Sequence, residues 1–196
     1  HRSGVRMTGR LPVTLPPLTG ELLSSWISRH AEFYGVTPLN MLRHCLPEAA
    51  SLRAIDLALS KSQANLIGEL FSIDSQAVRR MAFVDCHTDA LRFIAKEPIQ
   101  RCSKCNPNTP KSLPVLRSEL QGWRISCPHC GLQFQPPSAD NCSSLFATYR
   151  TAALHGEKLL HAHAERSKEP WFAPLEIARL LLMHRLPSPT TYNNDL

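Results

Sequence analysis

Cys102-Ser103-Lys104-Cys105 and Cys127-Pro128-His129-Cys130 are two short cysteine pairs divided by residues 106–126. Zinc prefers four soft or borderline ligands in a tetrahedron, and a C-x2-C turn folds both of its thiolates toward one point. Two such turns brought together close the coordination shell. The pattern therefore points to one structural Zn2+ ion held by Cys102, Cys105, Cys127 and Cys130. Gly131 directly follows the second pair, where a knuckle needs a residue that tolerates a positive φ. Asn106, the next most tolerant residue type, stands at the equivalent place after the first pair.

Other chemistries use the same residue types. A thioredoxin-like redox pair would lie just ahead of a helix within a βαβ unit, and neither pair has that context. A disulfide framework needs an oxidising compartment and usually a smaller, cysteine-denser chain. His129 offers a nitrogen in place of one sulfur, but with Cys127 and Cys130 both present the thiolates are zinc's softer partners. Cys45, Cys86 and Cys142 are widely spaced singles and read as buried free thiols.

Around the pairs, residues 98–134 form a small zinc-ribbon module. Trp123, Ile125 and Phe134 offer it apolar cover, and Arg101, Lys104, Lys111, Arg117 and Arg124 give it positive charge. Pro107, Pro110 and Pro114 make its inner loop irregular.

Upstream, residues 11–97 read as a helical domain. Leu11 to Leu18 is proline-rich and extended, since each proline biases its predecessor away from helix. From Glu21 to Tyr34, Leu22, Leu23, Trp26, Ile27 and Phe33 recur at helical spacing, with Gly35 where a C-terminal cap belongs. Thr37-Pro38 restarts a helix with Thr as N-cap and Pro in the first turn. Ser60-Lys61-Ser62-Gln63 matches a capping box that opens a run carrying Ala64, Ile67, Leu70 and Phe71. Phe71 to Asp74 breaks that run, and Asp74 caps a second short helix with Val78 and Met81. Two short helices across a tight turn are a helix-turn-helix candidate, whose second helix carries Arg79 and Arg80 toward phosphates or a groove. The plainer alternative is a pair of solvent-facing arginines on a small bundle.

Downstream, Gln135 to Ser144 reads as a linker and residues 145–186 as a C-terminal helical region. Leu145, Tyr149, Ala152, Leu159 and Leu160 mark a helix ending near Glu165, and a last helix runs from Pro174 toward Arg185. The fold class is thus mainly α: a helix-turn-helix-type N-terminal domain, a zinc ribbon, and C-terminal helices.

The 196 residues carry 22 Lys plus Arg against 16 Asp plus Glu, a net charge of +6. An acidic partner, nucleic acid before others, fits that balance, although scattered charge also describes a solvated surface. Residues 1–20 lack a continuous apolar core and contain Pro12, Pro16 and Pro17, so no signal peptide is expected. No run approaches the roughly 20 apolar residues of a membrane span, and a reducing, cytoplasmic setting follows.

Nothing in the sequence supports an enzyme. Phosphate-cradling and hydrolase-elbow motifs are missing, and no acidic pair stands out as a two-metal site. His161 and His163 fall on different faces of a helix, while His161 and Glu165 share one, which reads as a solvated polar stripe.

Pro17-Leu18-Thr19-Gly20-Glu21-Leu22-Leu23-Ser24-Ser25-Trp26-Ile27-Ser28-Arg29, after a proline-rich opening strand and before a helix-turn-helix and a four-cysteine module, resembles the TniQ family of transposition accessory proteins. Gly35-Val36-Thr37-Pro38 and Ile67 to Met81 continue the likeness, which covers residues 11–133. The resemblance implies a non-enzymatic, DNA-binding adaptor of target selection, working beside an ATPase regulator and a transposase and in some members recruited to RNA-guided effector complexes. A homodimer is compatible with it. Arg79, Arg80, Arg101, Lys104, Arg117 and Arg124 are the residues expected to meet nucleic acid. A zinc-ribbon transcription regulator acting alone, or a protein scaffold without DNA contact, is the competing function.

Overall fold

A computed structural model of the chain describes residues 9–105, 114–134 and 145–165, with side chains from 149 onward in the last segment. The readings that fell on Asn106, Lys111, Cys142, the 135–144 linker and the Pro174 to Arg185 helix lie outside the described residues. Among those described, the fold is helical, with no strand and three isolated antiparallel bridges.

Five helices build the N-terminal core: α1 (Leu23–Phe33), α2 (Pro38–Cys45), α3 (Leu52–Leu57), α4 (Lys61–Phe71) and α5 (Ser75–Met81). Local chemistry sets where most of them start. Thr37 accepts a hydrogen bond from the Asn40 N–H at 3.3 Å, with Pro38 in the first turn of α2. Ser60 and Gln63 exchange both bonds of a capping box at the start of α4. Asp74 accepts from the Ala77 N–H at 3.0 Å and opens α5. All three caps match the sequence-based expectation; Gly35, with φ +65°, follows the C-cap Tyr34 and so lies two residues beyond the end of α1.

The α4–α5 turn is tight. Ser72 takes a left-handed conformation, φ 53°, and a Cβ built on Gly68 would come within 2.7 Å of the Ile73 carbonyl oxygen. Only a glycine lets the turn fold back so closely.

These helices enclose Leu23, Trp26, Ile27, Leu42, Ile67, Phe71 and Val78, all fully or almost fully buried. Trp26, His30 and Phe71 pack mutually, with every pair of ring centroids 4.7 Å apart. The proline-rich opening, expected to be extended, forms no strand and bends at Pro12 and Val13. It lies along α1 on side-chain hydrogen bonds: Trp26 Nε1 donates to the Leu15 carbonyl at 2.8 Å, and the Leu15 N–H donates to His30 Nε2 at 2.8 Å. Three prolines remove the donors that a ladder would need.

A second cluster gathers Leu22, Phe83, Cys86, Ala90, Ile94, Leu120, Trp123 and Ala164. Residues 114–122 thread through it, with the short α6 (Arg117–Leu120) inside that stretch. On one side the Leu22 N–H donates to the Val115 carbonyl and the Arg117 N–H to Gly20; on the other the Ala95 N–H donates to Leu120 and the Gly122 N–H to Phe93. The final described element, α7 (Leu145–Ala164), closes this cluster with Leu160 and Ala164.

Candidate metal centre

The second knuckle is built around residue 131. The Gly131 N–H donates to the Cys127 carbonyl at 2.9 Å and the Cys127 N–H to the Leu132 carbonyl at 2.7 Å. That fold-back requires φ +70° at position 131, which is why glycine follows the pair. An antiparallel bridge between Ser126 and Gln133 closes the turn behind it. In the first knuckle the Cys105 N–H points at Cys102 Sγ, 3.4 Å away, as an amide does toward a thiolate.

The two turns bring four sulfurs together. All lie within 4.8 Å of one another, with Cys102 and Cys130 at 3.3 Å and Cys105 and Cys127 at 3.8 Å. A tetrahedral ion with metal–sulfur bonds of about 2.3 Å sets its ligand atoms roughly 3.8 Å apart, so the arrangement fits such an ion. All six described cysteines are free thiols, outside any disulfide. Cys102 and Cys127 are buried under Phe134, Cys130 is half-buried and Cys105 exposed.

Electrostatics divides the thiols. The Leu132 amide beside Cys130 pulls its pKa down to about 7, whereas Cys105 is pushed up to about 12, chiefly through its hydrogen bond to Cys130. Thiols bind a divalent cation as thiolates, so occupancy of the cluster by a metal would release protons. His129 is exposed and its ring lies over Gly20, with Nε2 3.5 Å from where a Cβ there would stand; the grouped ligand atoms are the four sulfurs.

The basic candidates divide into two sets. Arg80 and Lys104 are exposed and Arg101 is half-buried. Arg79 pairs with Asp85 at 2.8 Å. Arg117 reaches Glu165 at 3.1 Å while its guanidinium lies 4.8 Å over the Phe83 ring, and Arg124 reaches Glu157 at 3.2 Å.

Two expectations need correction here. Trp123 does not cover the cysteines; it belongs to the second cluster, where Nε1 donates to His161 Nδ1 at 3.5 Å. His161 and Glu165 are not a solvated stripe either. Burial lowers the His161 pKa, and Glu165 accepts from Arg117, from Gln121 Nε2 at 3.3 Å and from the Cys86 thiol at 3.7 Å. Helical spacing located their shared face correctly, but tertiary packing turned it inward.

Glu157, Ser126 and Gln121 were missed by sequence reasoning altogether. Glu157 sits inside α7 with its side chain 2% exposed, accepting from Ser126 Oγ at 2.6 Å as well as from Arg124. An acidic residue in an otherwise amphipathic helix carries no sign that its partners lie in a distant loop.

No helix among the described residues is long and apolar enough to cross a membrane. Neither a curated protein nor a solved structure gives a significant match. The TniQ family model matches residues 12–133, a span that holds the five-helix core and all four grouped cysteines. With more than half of its length matched, the chain belongs to the TniQ family of non-catalytic, transposition-associated accessory proteins.

Proposed function

We propose that this protein is a zinc-stabilised adaptor that helps choose the target site of DNA transposition. It links target DNA, or an RNA-guided complex on that DNA, to an ATPase regulator and a transposase. The family match over residues 12–133 carries the reading, because it spans both the α4–α5 pair and the cysteine cluster. Four sulfur donors at tetrahedral separations suit zinc, which would be held by Cys102, Cys105, Cys127 and Cys130 as a structural brace. Such an ion supplies folding free energy to a segment whose own apolar cluster is small. The cytoplasm, where thiols stay reduced, is its place of action.

Arg80 on the second helix of the α4–α5 pair, with Arg101 and Lys104 at the first knuckle, are the cations assigned to phosphates. Phosphate contacts position a protein without specifying sequence. Arg79, Arg117 and Arg124 already share their charge with carboxylates. Those ion pairs favour one second reading, a protein scaffold that touches no DNA.

An electrophoretic salt titration on duplex DNA separates the two. For the adaptor, affinity falls steeply with salt, and Arg80→Ala together with Lys104→Ala reduces the log–log slope by about 1 per lost contact. Undetectable binding at low salt leaves the scaffold. Elemental analysis checks the metal: one zinc per chain is expected, and none would remove zinc from the proposal.

A further inference from the structure

The loop that leads into the second cysteine pair is also the loop that holds α7. Ser126 Oγ and Arg124 Nη1 both donate to the Glu157 carboxylate, at 2.6 and 3.2 Å, and Ser126 is the residue immediately before Cys127. Ile125, Gly131 and Gln133 of the same loop face Arg150 and Leu154 of α7 across a crevice with no room for a water molecule. The cysteine loop and the middle of α7 are therefore neighbours, joined by the hydrogen bonds at Glu157 and flanking one narrow crevice.

The rest of the described α7 seat lies at its C-terminal end, where His161 meets Trp123 and Glu165 takes Arg117, Gln121 and Cys86. Its apolar part in the second cluster comes from Leu160 and Ala164, whereas Tyr149 and Leu159 stay exposed. Its polar part is incompletely satisfied, since Arg117 Nε and Arg124 Nε are buried without a hydrogen-bond partner. Buried charges satisfied in part hold two elements together less firmly than fully bonded ones. The middle of α7 is held through the 124–126 donors, which lead directly into the fold-back at Cys127 to Gly131.

We propose that metal binding by the cysteine cluster and docking of the middle of α7 are coupled through Glu157, so that loss of the metal loosens that part of α7 from the cysteine loop. This rests on the reading that the cluster holds a metal ion. The device is a metal-sensitive latch: Ser126 and Arg124 transmit the state of the cluster, and Glu157 receives it. Thermodynamic linkage makes the effect reciprocal, since whatever the metal contributes to docking, docking returns to metal affinity.

The test uses the full chain. Metal content is measured first, and then hydrogen exchange with and without a chelator, following 149–164 against α1 and α4. The latch predicts that chelation speeds exchange in 149–164 by about tenfold or more while α1 and α4 stay protected. Zinc affinity by chelator competition is compared for the parent chain, Glu157→Ala and Ser126→Ala. Glu157→Ala is expected to weaken zinc binding by about tenfold although the residue is no ligand, with Ser126→Ala weaker in the same direction. Bound metal with unchanged exchange in 149–164, an exchange increase spread equally over α1 and α4, or an affinity within twofold of the parent for Glu157→Ala would each overturn the latch and leave the metal reading intact. A chain that binds no divalent ion overturns both. Ser126→Ala keeps the test readable should Glu157→Ala not fold.

Discussion

The five-helix core and the cysteine module hold themselves together by different means. The core has its own apolar interior of Trp26, Phe71, Ile67, Leu42 and Val78, and most of its helices are capped by residues at their own ends. The module has Phe134 and four thiols as its private interior, then leans on its neighbours: residues 114–122 on the chain around Leu22 and Ile94, residues 124–126 on α7. A short segment without enough apolar surface to bury must take its stability from a bound ion or from adjoining structure. The contrast teaches that the core can remain folded while the module fails, and that the reverse is not expected.

The largest effect should come from Cys127→Ser. Structural zinc sites contribute folding free energy on the order of 10 kcal/mol, so losing one ligand should abolish tight metal binding and the order of residues 124–134. Near-ultraviolet circular dichroism and metal analysis would see the loss, while far-ultraviolet signal from α1 to α5 persists. Collapse of both regions together would break the comparison.

Gly68→Ala attacks the core instead. The added methyl meets the Ile73 carbonyl oxygen at 2.7 Å, and forcing a group into a packed site typically costs about 1 to 3 kcal/mol. Urea unfolding should show that loss with the metal affinity unchanged; a simultaneous loss of zinc would mean that the regions are less separable than their contacts suggest.

The smallest effect concerns pH. His30 is fully buried, its Nε2 accepting from Leu15 and its Nδ1 bonded to the Trp26 carbonyl, and burial lowers its pKa from 6.5. A histidine kept neutral by folding adds stability above its unfolded pKa, and that stability drains away as pH falls below 6.5 toward the lower folded value. Asp56 works in the opposite sense, because burial pushes its carboxyl up to about 6 and the folded state then gains relative stability on acidification. The comparison to make is between the parent and His30→Asn: the parent's advantage should shrink steadily below pH 6.5. A gap independent of pH would show that His30 is not held neutral.

What could be read from the sequence was what adjacent residues decide among themselves. Thr37-Pro38, the Ser60 and Gln63 box, Asp74, Gly131 and the paired cysteines each declare a turn or a helix start within four residues, and the structure has them so. What could not be read joins distant segments. Asp56 accepts from the Ser24 N–H at 2.9 Å at the first turn of α1, a cap supplied from another helix. Glu21 takes both Arg29 and the Leu18 N–H, and the partners of Glu157 lie across the module. Helical periodicity identifies a face without saying what will cover it, which is why the His161 and Glu165 face was placed in water rather than against Arg117 and Trp123.

Tyr34 gives the proline-rich arm a property that its composition alone would not. Its hydroxyl donates to the Val13 carbonyl at 2.7 Å and accepts from the Val13 N–H at 2.9 Å, so one phenol imitates the rung that a neighbouring strand would provide. An extended segment with free backbone groups invites a second chain to pair with it. By filling both sites at Val13, with prolines at 12, 16 and 17 withholding further donors, the molecule leaves this arm few free backbone groups on which a second chain could pair edge to edge.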